Sequence, residues 1–234
     1  MCPQYIAPTT TERLMFSSDV TEEPSGGHHM KLAIISDIHD HIWNLRAVLS
    51  YIGGANVDTL ICCGDLCSPF VVGLLASGFS RPIHAVAGNN EGDWRQIMLM
   101  GARVNQDRSE AAQITFHGQF FEGELNGKQV AVNHYPEIAL AIAAAGQHDL
   151  VCFGHNHQYE VRHFEKTLAL NPGTLMGYNP MQEGDIKDVV ATFALYDTGV
   201  ADHQGVQFYR VTEPWRSPEE GGTVVPFDVL RAEN

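Results

Sequence analysis

The chain has 234 residues, of which 44% are hydrophobic and 18% are charged, proportions that are typical of a globular protein and exclude a fibrous or disordered chain. We expect one large domain, since many folds of this length form a single unit. The net charge of −14 excludes nucleic-acid polymers as the main partner, because binding to a polyanion requires an excess of lysine and arginine.

The two ends of the chain differ in composition from its middle. Proline, threonine, serine, glutamate and glycine dominate residues 1–29, which predicts a flexible leader or a cloning remnant ahead of a folded domain over residues 30–211. Prolines and glycines recur in residues 212–234, where we expect a surface tail. No apolar run approaches the roughly 18 residues that cross a membrane, so we expect no membrane partner.

The five cysteines are odd in number, and three of them lie inside apolar runs that resemble strands: Cys62, Cys63 and Cys152. This usage predicts buried, reduced thiols and a cytoplasmic location, because disulfides persist mainly in oxidising compartments. Cys63 and Cys67 lack the spacing of a zinc half-site, and no second pair follows them.

From Met30 onward, apolar strands alternate with amphipathic helices. Strands are predicted at residues 31–36, 59–63 and 83–87, and helices at residues 42–52, 69–77 and 94–100. This βαβαβ order predicts neighbouring parallel strands joined by right-handed crossovers.

The pattern changes in the second half of the chain. Asn126-Gly127 separates two apolar stretches, at residues 119–125 and 128–132, which is a strong signal for a β-hairpin. A helix is predicted at residues 136–145, a buried strand at 150–153, and alternating strands at 159–164, 168–170, 189–196 and 206–211. Together the elements predict an α/β fold of two packed mixed sheets covered by helices, with the functional residues at strand ends.

Side chains that can bind metals follow directly after several of these predicted strands. They are Asp37, His39, Asp65, Asn89, His134, His155 and His157. Asp37 and His39 are two residues apart, so alternation along an extended chain can direct both side chains into one space, and the last pair alternates in the same way. Gly64 precedes Asp65 and permits a sharp turn of the backbone after the strand.

This mixture of nitrogen and oxygen ligands is typical of a site for transition metals. It favours Mn²⁺, Fe²⁺, Co²⁺, Ni²⁺ or Zn²⁺ over Ca²⁺ or a structural zinc ion. A carboxylate such as Asp65 can bridge two metals ~3.5–4 Å apart, and a water shared by them becomes nucleophilic at neutral pH. We therefore expect two divalent transition metals, with Mn²⁺ favoured, and a small phosphate ester as the substrate.

The order of these clusters resembles the calcineurin-like metallophosphoesterases. The family's motifs are matched, over residues 30–210, by Asp37-x-His39, Gly64-Asp65, Gly88-Asn89-x-Glu91, His134 and Gly154-His155-x-His157. The short chain and the later Asn171-Pro172-Gly173-Thr174 are most similar to the small bacterial and archaeal phosphodiesterase branch. The resemblance implies a four-layer αββα sandwich with a dinuclear metal site at the carboxyl-terminal ends of its strands.

The same resemblance divides the ligands into two sets that share Asp65. It implies that one metal is held by Asp37, His39, Asp65 and His157, and the other by Asp65, Asn89, His134 and His155. It further implies in-line attack on phosphorus by a hydroxide that bridges the metals, with catalytic roles for Asp65, Asn89, Asn90 and His134. Because oligomers are common in this branch, a homo-oligomer is compatible with the resemblance.

One position departs from the usual family pattern. Many members carry histidine directly after the ligand asparagine, where it can protonate the leaving alcohol, whereas this chain has Asn90, which donates a hydrogen bond but supplies no proton. The small phosphodiesterase branch also lacks that histidine. General acid catalysis is worth about 10²–10⁴-fold, so we expect slow turnover of esters with poor leaving groups unless His41 or a metal-bound water substitutes.

The sequence leaves two alternative functions open. A phosphomonoesterase acting on a nucleotide or a phosphoprotein would use the same ligands. The same fold also serves as a scaffold in a eukaryotic retromer subunit, which resembles these enzymes but has lost key ligand histidines. This chain has all the ligand types, which favours an enzyme.

Other polar residues near the clusters have simpler interpretations. His84 and His117 are expected to be hydrogen-bonded structural residues, and Asp40 is expected to cap the first helix. Glu91 is interpreted either as a residue that orients the loop of Asn89 or as a cap of the helix that follows.

Overall fold

The structure is a computed structural model that describes residues 29–179, 187–200 and 202–228. The predicted leader, apart from its last residue, lies outside these ranges. No helix in the described ranges has both the length and the apolar character needed to cross a membrane.

The described residues form strands and helices in the mixed order that the sequence predicts. In chain order these are β1 (Lys31–Ile35), α1 (Ile42–Gly54), β2 (Thr59–Cys62), α2 (Pro69–Gly78), β3 (Ile83–Ala85), α3 (Trp94–Val104), β4 (Ile114–Phe116), β5 (Phe120–Leu125), β6 (Lys128–Asn133), α4 (Pro136–Ala144), β7 (Leu150–Cys152), β8 (Tyr159–Phe164), β9 (Thr167–Pro172), β10 (Tyr178–Asn179), β11 (Lys187–Asp188), β12 (Thr192–Asp197), β13 (Val206–Glu213) and β14 (Thr223–Phe227).

The larger sheet has seven strands in the order β14-β13-β12-β1-β2-β3-β4. Its half from β1 to β4 is parallel, which confirms the parallel arrangement predicted for the first three strands. The other half is antiparallel, beginning with the pairing of β1 with β12. The carboxyl ends of β1, β2 and β3 therefore lie at one edge of the sheet.

The smaller sheet has five strands in the order β5-β6-β7-β9-β8. The predicted hairpin is confirmed, since β5 and β6 pair in antiparallel fashion on either side of Asn126-Gly127, both of which have positive φ. Strand β7 is parallel to β6 and to β9, so β9 is antiparallel only to β8. Strands β10 and β11 form a separate two-stranded sheet.

Three hydrophobic cores show that the molecule has four layers. Alternate residues of β1 point to opposite faces: Ala33 and Ile35 pack under α1, α2 and α3, whereas Leu32 and Ile34 pack against the smaller sheet. Helix α4 covers the outer face of the smaller sheet, where Phe153 is fully buried. The predicted αββα arrangement is confirmed, and both sheets are sandwiched between helices.

The predicted surface tail at residues 212–234 is wrong for part of its length. Strand β13 extends to Glu213, and β14 pairs with it as the edge strand of the larger sheet. Pro226 is compatible with this strand because an edge strand can leave one side unpaired. Phe227 packs into the core between the sheets, so burial of apolar side chains outweighs the turn-forming composition of this segment.

Candidate metal centre

The candidate centre lies where the carboxyl ends of parallel strands from both sheets meet. Asp37 and His39 follow β1, Asp65 follows β2 and Asn89 follows β3 in the larger sheet. From the smaller sheet, His134 directly follows β6, and His155 and His157 follow β7. The structure therefore brings together every ligand side chain that the sequence predicts.

The backbone that carries these side chains is strained. Five of the residues have positive φ angles, in the region that favours glycine: Asp37 (51°), His39 (44°), Asp65 (56°), His155 (74°) and His157 (59°). Such conformations cost of order 1–3 kcal/mol each and cluster at functional sites. The concentration of strain in the ligand loops supports a functional role for this edge of the sheets.

Two glycines permit the close approach of neighbouring ligand loops. A Cβ atom added at Gly88 would overlap the carboxylate of Asp65 and lie 2.7 Å from its backbone nitrogen. A Cβ atom at Gly154 would overlap the hydroxyl of Ser36 and lie 2.7 Å from Asp37 Oδ2. The glycine in each ligand loop is therefore required by the packing of the opposite loop.

The first ligand set joins β1, β2 and β7. Nε2 of His157 lies 3.4 Å from Asp37 Oδ1 and 3.2 Å from His39 Nε2. His39 Nε2 in turn lies 3.3 Å from Asp65 Oδ2. The donor atoms of Asp37, His39 and His157 all lie within 4.8 Å of one another, which is close enough for one ion to bind all three.

The second set continues from the same carboxylate. Asp65 Oδ2 lies 3.6 Å from His134 Nε2, which is 3.0 Å from Asn89 Oδ1. Asn89 Oδ1 is also 2.8 Å from His155 Nδ1. Asp65 therefore links the two sets through one oxygen atom, as the resemblance implies for the bridging residue.

The outer nitrogens of two histidines are held by backbone carbonyls. His134 Nδ1 lies 2.8 Å from the carbonyl oxygen of Cys63, and His157 Nδ1 lies 2.7 Å from that of Tyr178. A carbonyl can only accept, so each Nδ1 carries a proton, and in the neutral imidazole each Nε2 has the lone pair that a metal requires. His39 differs, because its Nδ1 lies 3.6 Å from the thiol sulfur of Cys67.

Electrostatics favour the charged form of Asp37. Its burial is the largest single influence and would raise the pKa, but hydrogen bonds from His157 and His39 hold the pKa well below the usual range. Burial lowers the pKa of His157, yet the hydrogen bond to Asp37 outweighs it and the net shift is upward. The pKa of His155 is lowered by burial and by the nearby charge of His134.

Glu91 connects the loops after β2 and β3. Its carboxylate accepts hydrogen bonds from the backbone N–H groups of Leu66 (3.3 Å), Cys67 (3.0 Å) and Gly88 (3.1 Å). Of the two interpretations from sequence, the structure therefore supports the one in which Glu91 orients the Asn89 loop. The cap of α3 is Asp93, whose side chain accepts from Gln96 N.

The prediction that Asp40 caps α1 is wrong. The cap is His41, whose Nδ1 accepts from Asn44 N at 3.2 Å. The Asp40 carboxylate instead accepts from the N–H and the hydroxyl of Ser68, at 3.0 and 2.5 Å, and so ties the loop after β1 to the start of α2. Asp40 lies one residue before the cap, and the N–H and hydroxyl of Ser68 give its carboxylate two donors.

Asn90 forms two hydrogen bonds with Asp65, one of the predicted ligands. Its backbone N–H donates to Asp65 Oδ1 at 2.8 Å, and its side-chain amide donates to Asp65 Oδ2 at 2.9 Å. The residue that occupies the family's usual histidine position therefore holds the shared carboxylate in place.

The end of β9 and the loop after it contact the backbone of two ligand loops. Thr174 Oγ1 donates to the carbonyl of Asp37 at 2.9 Å, and Asn171 Nδ2 donates to that of Gly154 at 3.1 Å. His84 and His117 lie outside both ligand sets, where the two rings hydrogen-bond and stack as structural residues. The roles of Thr174 and Ser68 carry no local signal in the sequence, because they arise from contacts between distant loops.

An αββα sandwich with clustered carboxylate, imidazole and amide groups at its strand ends defines a class of metal-dependent phosphoesterases. Comparison with known families agrees: the profile of the calcineurin-like phosphoesterase superfamily domain matches residues 30–198. The chain belongs to this family, and it is therefore a metallophosphoesterase, a hydrolase of the metal-dependent kind.

Individual relatives support the assignment. Phosphodiesterase MJ0936 of Methanocaldococcus jannaschii is 29% identical over 151 residues, which span 64% of this chain and 86% of that protein. The structure of an archaeal phosphodiesterase has a TM-score of 0.61 at 23% identity, covering 85% of this chain and all of the other (100%). Vacuolar protein sorting 29 from Cryptosporidium parvum has a TM-score of 0.54 at 16% identity, covering 85% and 97%. The two structures establish the fold.

Proposed function

We propose that this protein is a dinuclear metal-dependent phosphodiesterase that acts on small phosphate esters. The main support is the shared position of Asp65, whose Oδ2 lies 3.3 Å from His39 in one ligand set and 3.6 Å from His134 in the other. One carboxylate between two nitrogen-rich sets is the arrangement that two neighbouring divalent metals require.

The donor chemistry fits two divalent transition metals. The seven ligand side chains are four imidazoles, two carboxylates and one amide, a mixture that calcium or magnesium does not select. Asp37 and Asp65 are at most 1% exposed, and buried carboxylates of this kind need a compensating positive charge. We expect Mn²⁺ to be the preferred ion. When bound, such metals lower the pKa of coordinated water and withdraw charge from phosphoryl oxygens.

The protein itself keeps the ligands in position. The carbonyl contacts of His134 and His157 fix their ring orientation, and Asn90 fixes the carboxylate of Asp65. The backbone N–H of His155 donates to Asp37 Oδ2 at 3.0 Å, which joins the two sheets across the site. Little reorganisation is therefore needed when metal and substrate bind, which is the basis of electrostatic preorganisation.

The charges around the centre favour a diester over a monoester, and this observation supports our choice between the two. Asp40 and Glu91 place two further carboxylates on the ligand loops. Within the described part of the chain, no lysine or arginine ion-pairs or hydrogen-bonds with these carboxylates or with the ligands. A phosphate monoester has an extra negative charge that arginine or lysine commonly neutralises, whereas a diester has one charge and needs less compensation.

The cysteines support our expectation of a cytoplasmic location. Cys62, Cys63 and Cys152 are buried free thiols, and Cys67 is a partly exposed free thiol beside the centre. Free thiols are typical of reducing compartments.

The experiment that tests this function compares two aryl esters with the same leaving group. Protein loaded with Mn²⁺ is assayed on a bis-aryl phosphodiester and on the matching aryl phosphomonoester, and metal content is measured on the same sample. We expect the higher kcat/KM on the diester and loss of activity after chelation. Asp65→Asn is expected to lose metal and activity, whereas Asp107→Asn, at an exposed position away from the centre, serves as the matched control.

A phosphomonoesterase and a non-catalytic scaffold would give different results in this assay. A higher kcat/KM on the monoester would refute the diester assignment and identify a phosphomonoesterase. Protein that neither binds transition metals nor hydrolyses either ester would refute an enzymatic function and favour a non-catalytic scaffold of the same fold.

A further inference from the structure

Tyr135 lies against the second ligand set. It directly follows His134, and its backbone N–H donates to Asn133 Oδ1 at 3.0 Å, which fixes the loop at the start of α4. The centroid of its ring lies 5.3 Å from that of His134, edge-on at 79°, and 5.2 Å from that of His155, tilted at 60°. The ring is therefore held in place by two side chains that the centre itself positions.

The hydroxyl of Tyr135 makes no hydrogen bond to any residue in the described ranges, although the side chain is half-buried. Buried or partly buried tyrosine hydroxyl groups usually pair with a polar group. Here the partner has to come from outside the protein, from solvent or from a bound ligand. The metal centre next to the ring is where a phosphate ester is expected to bind.

Several other neutral donors near the centre already have partners within the protein. The backbone N–H of Asn90 and one N–H of its side-chain amide donate to Asp65. Ser68 donates its hydroxyl to Asp40, and Thr174 donates to the carbonyl of Asp37. Tyr135 thus has a free hydroxyl and direct ring contact with ligand side chains.

We propose that Tyr135 contacts the substrate and donates a hydrogen bond from its hydroxyl to the phosphate group. This inference rests on the proposed function, because it assumes that a phosphate ester binds at the centre. A phenol is neutral, so it adds a donor without adding the positive charge that would favour a monoester. A tyrosine ring has few rotatable bonds, so little entropy is lost when it is held against a ligand.

The test uses Tyr135→Phe, which removes only the hydroxyl. Binding of inorganic phosphate to Mn²⁺-loaded protein is measured by calorimetry, so no turnover is needed. A hydrogen bond to a charged group contributes about 1.5 kcal/mol or more, so we expect affinity for phosphate to fall about 10-fold, with metal content unchanged. Tyr209→Phe is the matched control, because that hydroxyl pairs with Tyr51 in a distant part of the core.

Steady-state kinetics distinguish a direct contact between Tyr135 and the substrate from a structural role of Tyr135. Tyr135→Phe is expected to lower kcat/KM on the phosphodiester by about the same factor as its phosphate affinity, with an unchanged unfolding temperature. Phosphate affinity equal to that of the wild type would overturn the inference, as would a loss that is accompanied by loss of metal. Absence of phosphate binding by the metal-loaded wild type would overturn it too.

The two proposals can fail separately. If the wild type binds phosphate, and Tyr135→Phe weakens that binding, but neither form hydrolyses diesters, then the proposed phosphodiesterase activity is wrong while the contact from Tyr135 stands.

Discussion

Replacement of Gly88 by alanine tests whether the close approach of the ligand loops is essential to the metal centre. A methyl group needs about 3.4 Å from its neighbours, and Asp65 N lies at 2.7 Å, so the backbone at Asp65 has to move by about 0.7 Å. The carboxylate of Asp65, which the new Cβ would overlap, has to move further. Because both ligand sets share this carboxylate, one methyl group is expected to disturb both.

The expected effect of Gly88→Ala is large on function and moderate on stability. A displacement of about 1 Å at a reacting group costs roughly 10²-fold in rate, so we expect kcat/KM on a phosphodiester to fall by that factor. Overpacking a tight site costs about 1–3 kcal/mol in the free energy of unfolding. The measurements are calorimetric titration of Mn²⁺, steady-state kinetics and urea unfolding of the metal-free protein.

Gly73→Ala is the matched control for this substitution. Gly73 lies within α2, and a Cβ atom there meets no atom within 4 Å. The control is expected to keep wild-type metal affinity and activity and to gain up to about 1 kcal/mol, since alanine favours a helix. If Gly88→Ala keeps the metal affinity and kcat/KM of the wild type, the metal centre does not depend on the observed position of Asp65. That result would contradict the prediction.

Three further predictions concern two residues beside the centre and one structural histidine. Glu91→Gln is expected to lower the free energy of unfolding by about 1–3 kcal/mol in urea, because the carboxylate accepts from three backbone N–H groups; an unchanged value would contradict this. Cys67→Ala removes the neighbour of His39 Nδ1 and is expected to weaken Mn²⁺ binding about 10-fold by calorimetry, whereas equal affinity would exclude a positioning role for the thiol. Burial, followed by the charge of His117, lowers the pKa of His84 to about 4 in the folded protein. As the pH falls, His84 is therefore protonated in the unfolded chain before it is protonated in the folded protein. Stability is therefore expected to fall between about pH 6.5 and pH 4 in urea titrations, and His84→Phe is expected to reduce that slope; equal slopes would refute it.

The candidate ligands can be predicted from the sequence because strand ends are local features. Asp37, Asp65 and Asn89 each follow an apolar run, and parallel strands bring their carboxyl ends to one edge without further information. The continuous apolar run from Leu32 to Ile35 likewise predicts a strand, and the structure buries it on both faces. These inferences depend on short stretches of chain and on a general rule of topology.

The features that the sequence does not predict arise from contacts between distant segments. Asp40 pairs with Ser68, 28 residues away, and Asn90 donates to Asp65, 25 residues away. Strand β14 is not evident from the sequence, because Gly221 and Gly222 precede it and Pro226 lies within it. Only the free edge of β13 and the burial of Phe227 make a strand favourable there. Propensity is a weak guide where tertiary contacts decide.

The most direct test of the proposed dinuclear centre is anomalous diffraction from crystals of the protein loaded with Mn²⁺. We expect two peaks ~3.5–4 Å apart, on either side of Asp65 Oδ2, with His39 beside one and His134 beside the other. A single peak, or no peak within reach of these side chains, would contradict a dinuclear centre that shares Asp65.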